Sequence, residues 1–270
     1  MLLLRADVPA RELGAAPPSF NMHAPLTLRW VPTWILVLAL VLSNCVAAAE
    51  PARVAVPLSS VIVIGFMGGF VRQDNAVHQE VQLATHLRDE YPSGMQVRMF
   101  ENRQGRQAHE AVLQMLDTDR DGTLSADEKR DARIVLYGHS WGASEAVTLA
   151  RTLQKDGIPV LLTVQVDSVS KSGEDDKLIP ANVAQAVNFF QRNGFLHGRK
   201  EIQAADGLRT KILGNFQLDY STQKVNCDGY PWYARLFMKP HIEIESDPIV
   251  WNQVESLIRS KVPGPVVSQR

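Results

Sequence analysis

The sequence predicts an α/β domain built on a mostly parallel sheet with helices on both faces. Apolar runs of buried-strand character, such as Val61-Ile62-Val63-Ile64 and Pro159 to Val166, alternate with stretches of helical apolar spacing. At one place strand, glycine turn and helix follow without a gap. There the run Ile134 to Tyr137 meets Gly138-His139-Ser140-Trp141-Gly142, then passes into Ala143, Ala146, Val147, Ala150 and Leu153 at helical spacing. Small residues are needed in such a turn, because the strand before and the helix after crowd a nucleophile held on strained backbone. Ser140 is therefore the candidate nucleophile.

A chain of 270 residues, 45% hydrophobic, is long enough for one large core. Its net charge of −1 gives no electrostatic reason to expect nucleic acid. The first 49 residues read as an extension and signal peptide. Trp34 to Leu42 is apolar, Arg29 precedes it and Ala47-Ala48-Ala49 follows, which fits export with cleavage near Ala49 better than a membrane span. The expected location is extracytoplasmic, periplasmic or secreted, with no stable span in the mature chain. Met22 is an alternative start to Met1, and Leu42-Ser43-Asn44-Cys45 is an alternative lipoprotein site, for which Asn44 is a poor residue. Cleavage after Ala49 leaves Cys227 as the sole cysteine, so no disulfide framework is available within one mature chain. Residues 50–270 then form the folded domain.

Taken in order, Val61 to Ile64 is the first strand, ending in Gly65-Phe66-Met67-Gly68-Gly69, a turn able to aim backbone N–H groups into a site. A helix with Val77, Val81, Ala84 and Leu87 on one face follows and breaks at Tyr91-Pro92-Ser93-Gly94. Met95 to Phe100 is the second strand, and 104–116 a helix burying Ala108, Val112, Met115 and Leu116. After the central strand-turn-helix, Asp156-Gly157 stops the chain before the strand that ends at Asp167-Ser168-Val169. Residues 170–209 read as a cap or lid, polar first, with a helix from Ile179-Pro180 through Phe190. Lys211 to Gly214 is a last short strand, and Ser246-Asp247-Pro248 starts a closing helix that buries Val250, Val254, Leu257 and Ile258. This makes five convincing parallel strands.

A second motif lies just before the central strand. Asp117-Thr118-Asp119-Arg120-Asp121-Gly122-Thr123-Leu124-Ser125-Ala126-Asp127-Glu128 matches the twelve-residue calcium loop at each diagnostic position. Asp117, Asp119 and Asp121 offer side-chain oxygens, Thr123 a backbone carbonyl, Ser125 a direct or water-mediated contact, and Glu128 a bidentate carboxylate. Gly122 supplies the sharp turn. A hard cation taking six to eight oxygens needs such a cage, and without one the four carboxylates repel. The loop and its flanking helices resemble the EF-hand family, with a short exit helix over 126–132, so the expected cofactor is Ca²⁺.

Acyl transfer by serine needs a base, an acid to orient it, and N–H donors for the oxyanion. The order Ser140, Asp167, His241 is that of the α/β-hydrolases, which the chain resembles from Val61 to Lys261 in reduced form. The resemblance implies Ser140 as nucleophile, His241 as base and Asp167 as acid, with an oxyanion held by the N–H of Trp141 and one from Phe66 or Met67. His241 stands in a loop before the final helix, with His197 in the cap as rival base and Asp219 as rival acid, while His139 packs inside the turn. An ester or thioester of a small or lipid-like molecule is the expected substrate. The alternative is a calcium-binding protein on a hydrolase-like scaffold without catalysis.

Overall fold

The computed structural model describes residues 60–262. The signal-peptide, cleavage-site, Cys45 and alternative-start readings fall outside those residues. Among the described residues no helix is long and apolar enough to cross a membrane.

Strands β1 (Val61–Met67), β2 (Met95–Glu101), β3 (Ile134–His139), β4 (Val160–Val166), β6 (Val183–Gln191) and β8 (Lys211–Leu218) form one sheet in the order β2-β1-β3-β4-β6-β8. Every neighbouring pair is parallel. A short parallel pair, β5 (Leu178–Ile179) and β7 (Gln203–Ala204), forms a separate sheet. The helices are α1 (Gln79–Glu90), α2 (Gly105–Leu116), α3 (Ala126–Arg130), α4 (Trp141–Lys155), α5 (Trp232–Phe237), α6 (Lys239–Ser246) and α7 (Pro248–Arg259). The expected fold class, a mostly parallel sheet with helices on both faces, is the one found.

Both faces of the central strands are covered, which is why their sequences are continuously apolar rather than alternating. Val61, Val63, Val135 and Tyr137 pack with Val81, Ala84 and Leu87 of α1 and Val250, Trp251, Val254 and Ile258 of α7. The intervening residues Ile62, Ile64, Ile134 and Leu136 pack with Ala108, Val112 and Leu116 of α2 and Ala146, Val147, Ala150 and Leu153 of α4. The two edges differ: β2 buries alternate residues, and β8 is largely exposed.

Four expectations need correction. The stretch through Phe190 is strand β6, inserted between β4 and β8, so the sheet has six strands rather than five. Val183, Ala186, Val187 and Phe190 do recur at helical spacing, but they belong to a β-branched and aromatic run buried on both faces, which a parallel sheet accommodates. Residues 170–209 are consequently not a cap. Their loops are tied to the body by Lys171 with Glu145 and Glu174 of its own loop, and by Asp176, fully buried, with Arg199, Ser168 and Ser170. Val77 precedes α1 and is half-exposed, because the helix starts only after His78. His241 is not in a loop but in the first turn of α6, which Pro240 initiates.

Candidate active site

Ser140 sits between β3 and α4 with φ 56° and ψ −125°, a conformation that L side chains rarely adopt. Two glycines make the turn sterically feasible. A Cβ on Gly138 would lie 2.5 Å from the Gly142 carbonyl carbon, and one on Gly142 would lie 2.3 Å from the Phe66 carbonyl oxygen. The Ser140 N–H donates to the Val166 carbonyl at 3.0 Å, and the Val169 N–H donates to the Ser140 carbonyl at 3.2 Å. The turn is thereby pinned to the end of β4, where Asp167 follows.

Asp167, fully buried, also holds a left-handed backbone, with φ 44°. One of its oxygens accepts from the backbone N–H groups of Gln191 (3.1 Å) and Gly198 (2.7 Å). The other accepts from the Gln191 side-chain amide (2.8 Å) and from His241 Nδ1 (2.6 Å). Gly198 is required for this approach, since a Cβ there would lie 2.4 Å from the Asp167 carbonyl carbon. The acid and the base chosen from the sequence are therefore paired. The rivals are elsewhere: Asp219 is an exposed-loop carboxylate accepting from Asn193 and the Ser221 N–H, and His197 is exposed. Gln191 and Gly198, which hold the acid, went unnoticed in the sequence because their only signal is spatial.

With Nδ1–H directed at Asp167, His241 presents Nε2 as the proton acceptor. Its backbone carbonyl accepts from His139 Nε2 at 3.1 Å, and the two imidazole rings lie 4.4 Å apart. The base is thus anchored to the residue preceding the nucleophile. Ser140 is 7% exposed and its Oγ forms no hydrogen bond among the described residues, a looseness common in unliganded serine sites.

Around the nucleophile, Trp141 opens α4, where the first N–H groups of a helix lack intrahelical partners. Gly68, just past β1, lies against Ser140: a Cβ on Gly68 would sit 3.1 Å from Ser140 Cβ. Phe66 is paired with strands on both sides, whereas Met67 at the strand's end is paired only with Glu101. Asn102 donates its side-chain amide to the carbonyls of Met67 and Gly69, which fixes this turn. The ring of Phe70, 80% exposed, packs edge-on against Trp141 at 5.5 Å.

The acidic loop between α2 and α3 is ordered by its own side chains. Asp117 accepts from the N–H groups of Asp121 (3.2 Å) and Gly122 (3.0 Å), and Gly122 takes φ 85° as the sharp turn requires. Glu128 accepts from Thr118 N–H (2.7 Å) and Ser125 N–H (3.0 Å), and these amides hold its carboxyl at about 2, well below the usual range. Oxygens of Asp117, Asp119 and Glu128 converge to within 4.8 Å of one another, while Asp121 turns to the Thr123 N–H at 2.7 Å. These are three of the six to eight oxygens a calcium ion would take, and Asp121 would have to turn inward to add a fourth side-chain ligand.

No protein-family model matches the chain, and no curated protein matches it in sequence. Among solved structures it is similar to a putative hydrolase of the alpha/beta superfamily from Xanthomonas campestris pv. campestris, at 13% identity and TM-score 0.38 over 74% of this chain and 99% of that one. It is similar also to a cutinase-like protein from Cryptococcus sp., at 12% identity and TM-score 0.40 over 76% of this chain and 96% of that one. A thermostable esterase from Pseudomonas putida is similar at 13% identity and TM-score 0.37, over 78% of this chain and 75% of that one.

Proposed function

We propose that this chain is a serine hydrolase of carboxylic esters or thioesters. The observation that carries the reading is the buried His241–Asp167 pair, 2.6 Å apart, on the sheet edge where Ser140 occupies its strained turn. In this scheme Ser140 Oγ attacks the acyl carbon as its proton passes to His241 Nε2. The tetrahedral oxyanion is met by the Trp141 N–H and by a donor from the end of β1, for which Met67 is better placed than Phe66. His241 returns the proton to the departing alcohol or thiol, and water then releases the acyl group by the same steps in reverse roles. Asp167 keeps the imidazole in the tautomer that leaves Nε2 free. Phe70 and Trp141 give the mouth of the site an apolar wall, which suits an acyl chain or other small or lipid-like ester.

The proposed cofactor is calcium, held by Asp117, Asp119, Asp121, Thr123, Ser125 and Glu128, in a site that stabilises the approach to β3 and takes no chemical part. Export ahead of this fold rests on the N-terminal apolar segment. A second reading, a calcium-binding protein without catalysis, draws on the Ser140 Oγ, which forms no hydrogen bond among the described residues, and on the separate acidic loop. Labelling with a fluorophosphonate probe separates the two. Modification mapped to Ser140, lost in Ser140→Ala together with aryl-ester hydrolysis, supports the hydrolase; an unlabelled Ser140 in folded protein removes it.

A further inference from the structure

Beside the triad the fold buries a second cluster of titratable groups. His78 is the residue before α1, Glu80 lies in its first turn, His139 ends β3, and Glu245 lies in the last turn of α6. All are buried, and the Glu80 side chain has no exposure at all. His78 Nδ1 meets one Glu245 oxygen within hydrogen-bond distance. His139 Nδ1 lies 3.3 Å from the other Glu245 oxygen and 3.8 Å from Glu80. The ligand atoms of His78, Glu80 and Glu245 all fall within 4.8 Å of one another.

Protein donors leave Glu80 unsatisfied, whereas Glu245 has contacts to His78 and Tyr230. His139 directs its Nε2–H at the His241 carbonyl, which leaves Nδ1 as the ring nitrogen facing two carboxylates. Neither oxygen of Glu80 accepts a hydrogen bond from a protein donor. The facing Glu245 is another acceptor, and two carboxylates can bond only by sharing a proton. His139 Nδ1, both oxygens of Glu80 and the His78–Glu245 contact therefore meet in one buried site.

We propose that His78, Glu80, His139 and Glu245 bind a divalent transition metal, zinc by preference, as a structural ion. Zinc holds four such ligands at about 2.0–2.2 Å in a tetrahedron, whose edges are then about 3.3–3.6 Å. The His139–Glu245 and His139–Glu80 separations, 3.3 and 3.8 Å, lie close to that spacing. Mixed imidazole and carboxylate donors suit zinc, whereas calcium and magnesium seek six or more oxygens. The backbones of two ligands are already held: Tyr137 Oη donates to the Glu80 carbonyl at 2.9 Å, and Trp251 Nε1 to the Glu245 carbonyl at 2.5 Å. The burial of all four ligands gives substrate no open coordination position, which makes the ion structural rather than catalytic. Its effect is on the neighbouring site through His139, whose other nitrogen holds the backbone of His241. The site is independent of whether Ser140 reacts and of the acidic loop.

The test is metal analysis of the folded full-length chain, as purified and after dialysis with zinc or cobalt(II). Zinc at about one per chain, and the intense visible absorption of four-coordinate cobalt, are expected. Glu80→Gln and His78→Ala should drop zinc below about a tenth of that level, while Asp117→Asn in the acidic loop leaves it unchanged. A cooperatively folded wild-type chain that takes up less than about a tenth of an equivalent of either metal overturns the proposal, and the carboxylates then share a proton instead. Folded Glu80→Gln that retains full zinc overturns it as well. If the variants fail to fold, the wild-type cobalt spectrum decides, and a six-coordinate or absent signal counts against the site.

Discussion

Replacing Asp167 by asparagine isolates the role of the acid, because the structure dictates how the new amide must lie. One Asp167 oxygen accepts two backbone N–H groups, from Gln191 and Gly198, and neither donor can turn away. The asparagine oxygen must take that place. Its NH₂ then occupies the position of the second oxygen, facing His241 Nδ1 and the Gln191 side-chain amide, both donors today. Gln191 cannot flip without cost, since its Nε2 also donates to the Leu196 carbonyl (2.9 Å) and its Oε1 accepts from the Asn193 N–H (2.8 Å). The imidazole yields instead: Nδ1 becomes the acceptor, and the proton moves to Nε2, where it blocks uptake of the serine proton. Wrong-tautomer histidine of this kind costs about 10⁴ in kcat, which is about 5.5 kcal/mol of transition-state stabilisation. The opposed amides at Gln191 add a stability loss of about 1–3 kcal/mol. Single-turnover acylation by an activated aryl ester, at pH 7 with folding checked by thermal melt, reads both effects. Asp167→Asn acylating within tenfold of wild type would refute the assignment of Asp167 as the orienting acid.

Calcium should raise the melting temperature, by mass action on a site present only in the native chain, and Glu128→Gln should abolish the shift; a transition identical in calcium and in chelator contradicts the loop assignment. In metal-free protein, Glu128 has its folded pKa depressed to about 2 from an ordinary 4.5. Its hydrogen bonds therefore support the fold above about pH 4.5 and lose that support as pH falls toward 2, which a carboxyl NMR titration of Glu128 would follow; a midpoint near 4.5 would show the loop amides unengaged. Gly142→Ala drives a Cβ to 2.3 Å from the Phe66 carbonyl oxygen and 2.8 Å from that of Met67. Backbone cannot rotate away as a side chain can, so a loss of about 1–3 kcal/mol is expected by chemical denaturation, with lower activity because β1 and the turn separate. Unchanged stability would mean that the turn is not packed against β1 as described.

The strained turn was legible because its signal is local: Gly138, Ser140 and Gly142 announce it through size alone, and the acidic loop from Asp117 to Glu128 likewise holds its carboxylates in one continuous segment. The pairing of His241 with Asp167 was inferable only through chain order, because their contact depends on how β6 and α6 bring distant segments together, away from His197 and Asp219. Strand β6 misled because Val183, Ala186, Val187 and Phe190 satisfy helical and strand patterns at once, and burial on both faces removes the polar alternation that would separate them. The cluster around Glu80 was invisible for another reason. His78 and Glu80, His139, and Glu245 come from three segments, and nothing along the chain shows that α1 and α6 set them beside the end of β3.

The backbone at Ser140 and Asp167 carries a further implication. Both have positive φ without being glycine, a conformation that costs of order 1–3 kcal/mol at each such residue. Glycine at Ser140 would relieve the strain there, whereas at Asp167 it would also remove the buried acceptor of four hydrogen bonds. Inactive Ser140→Gly is therefore expected to melt at a higher temperature than the active chain. The strain at Ser140 is thus a stability cost that the proposed reaction would explain and that a scaffold role alone would not require.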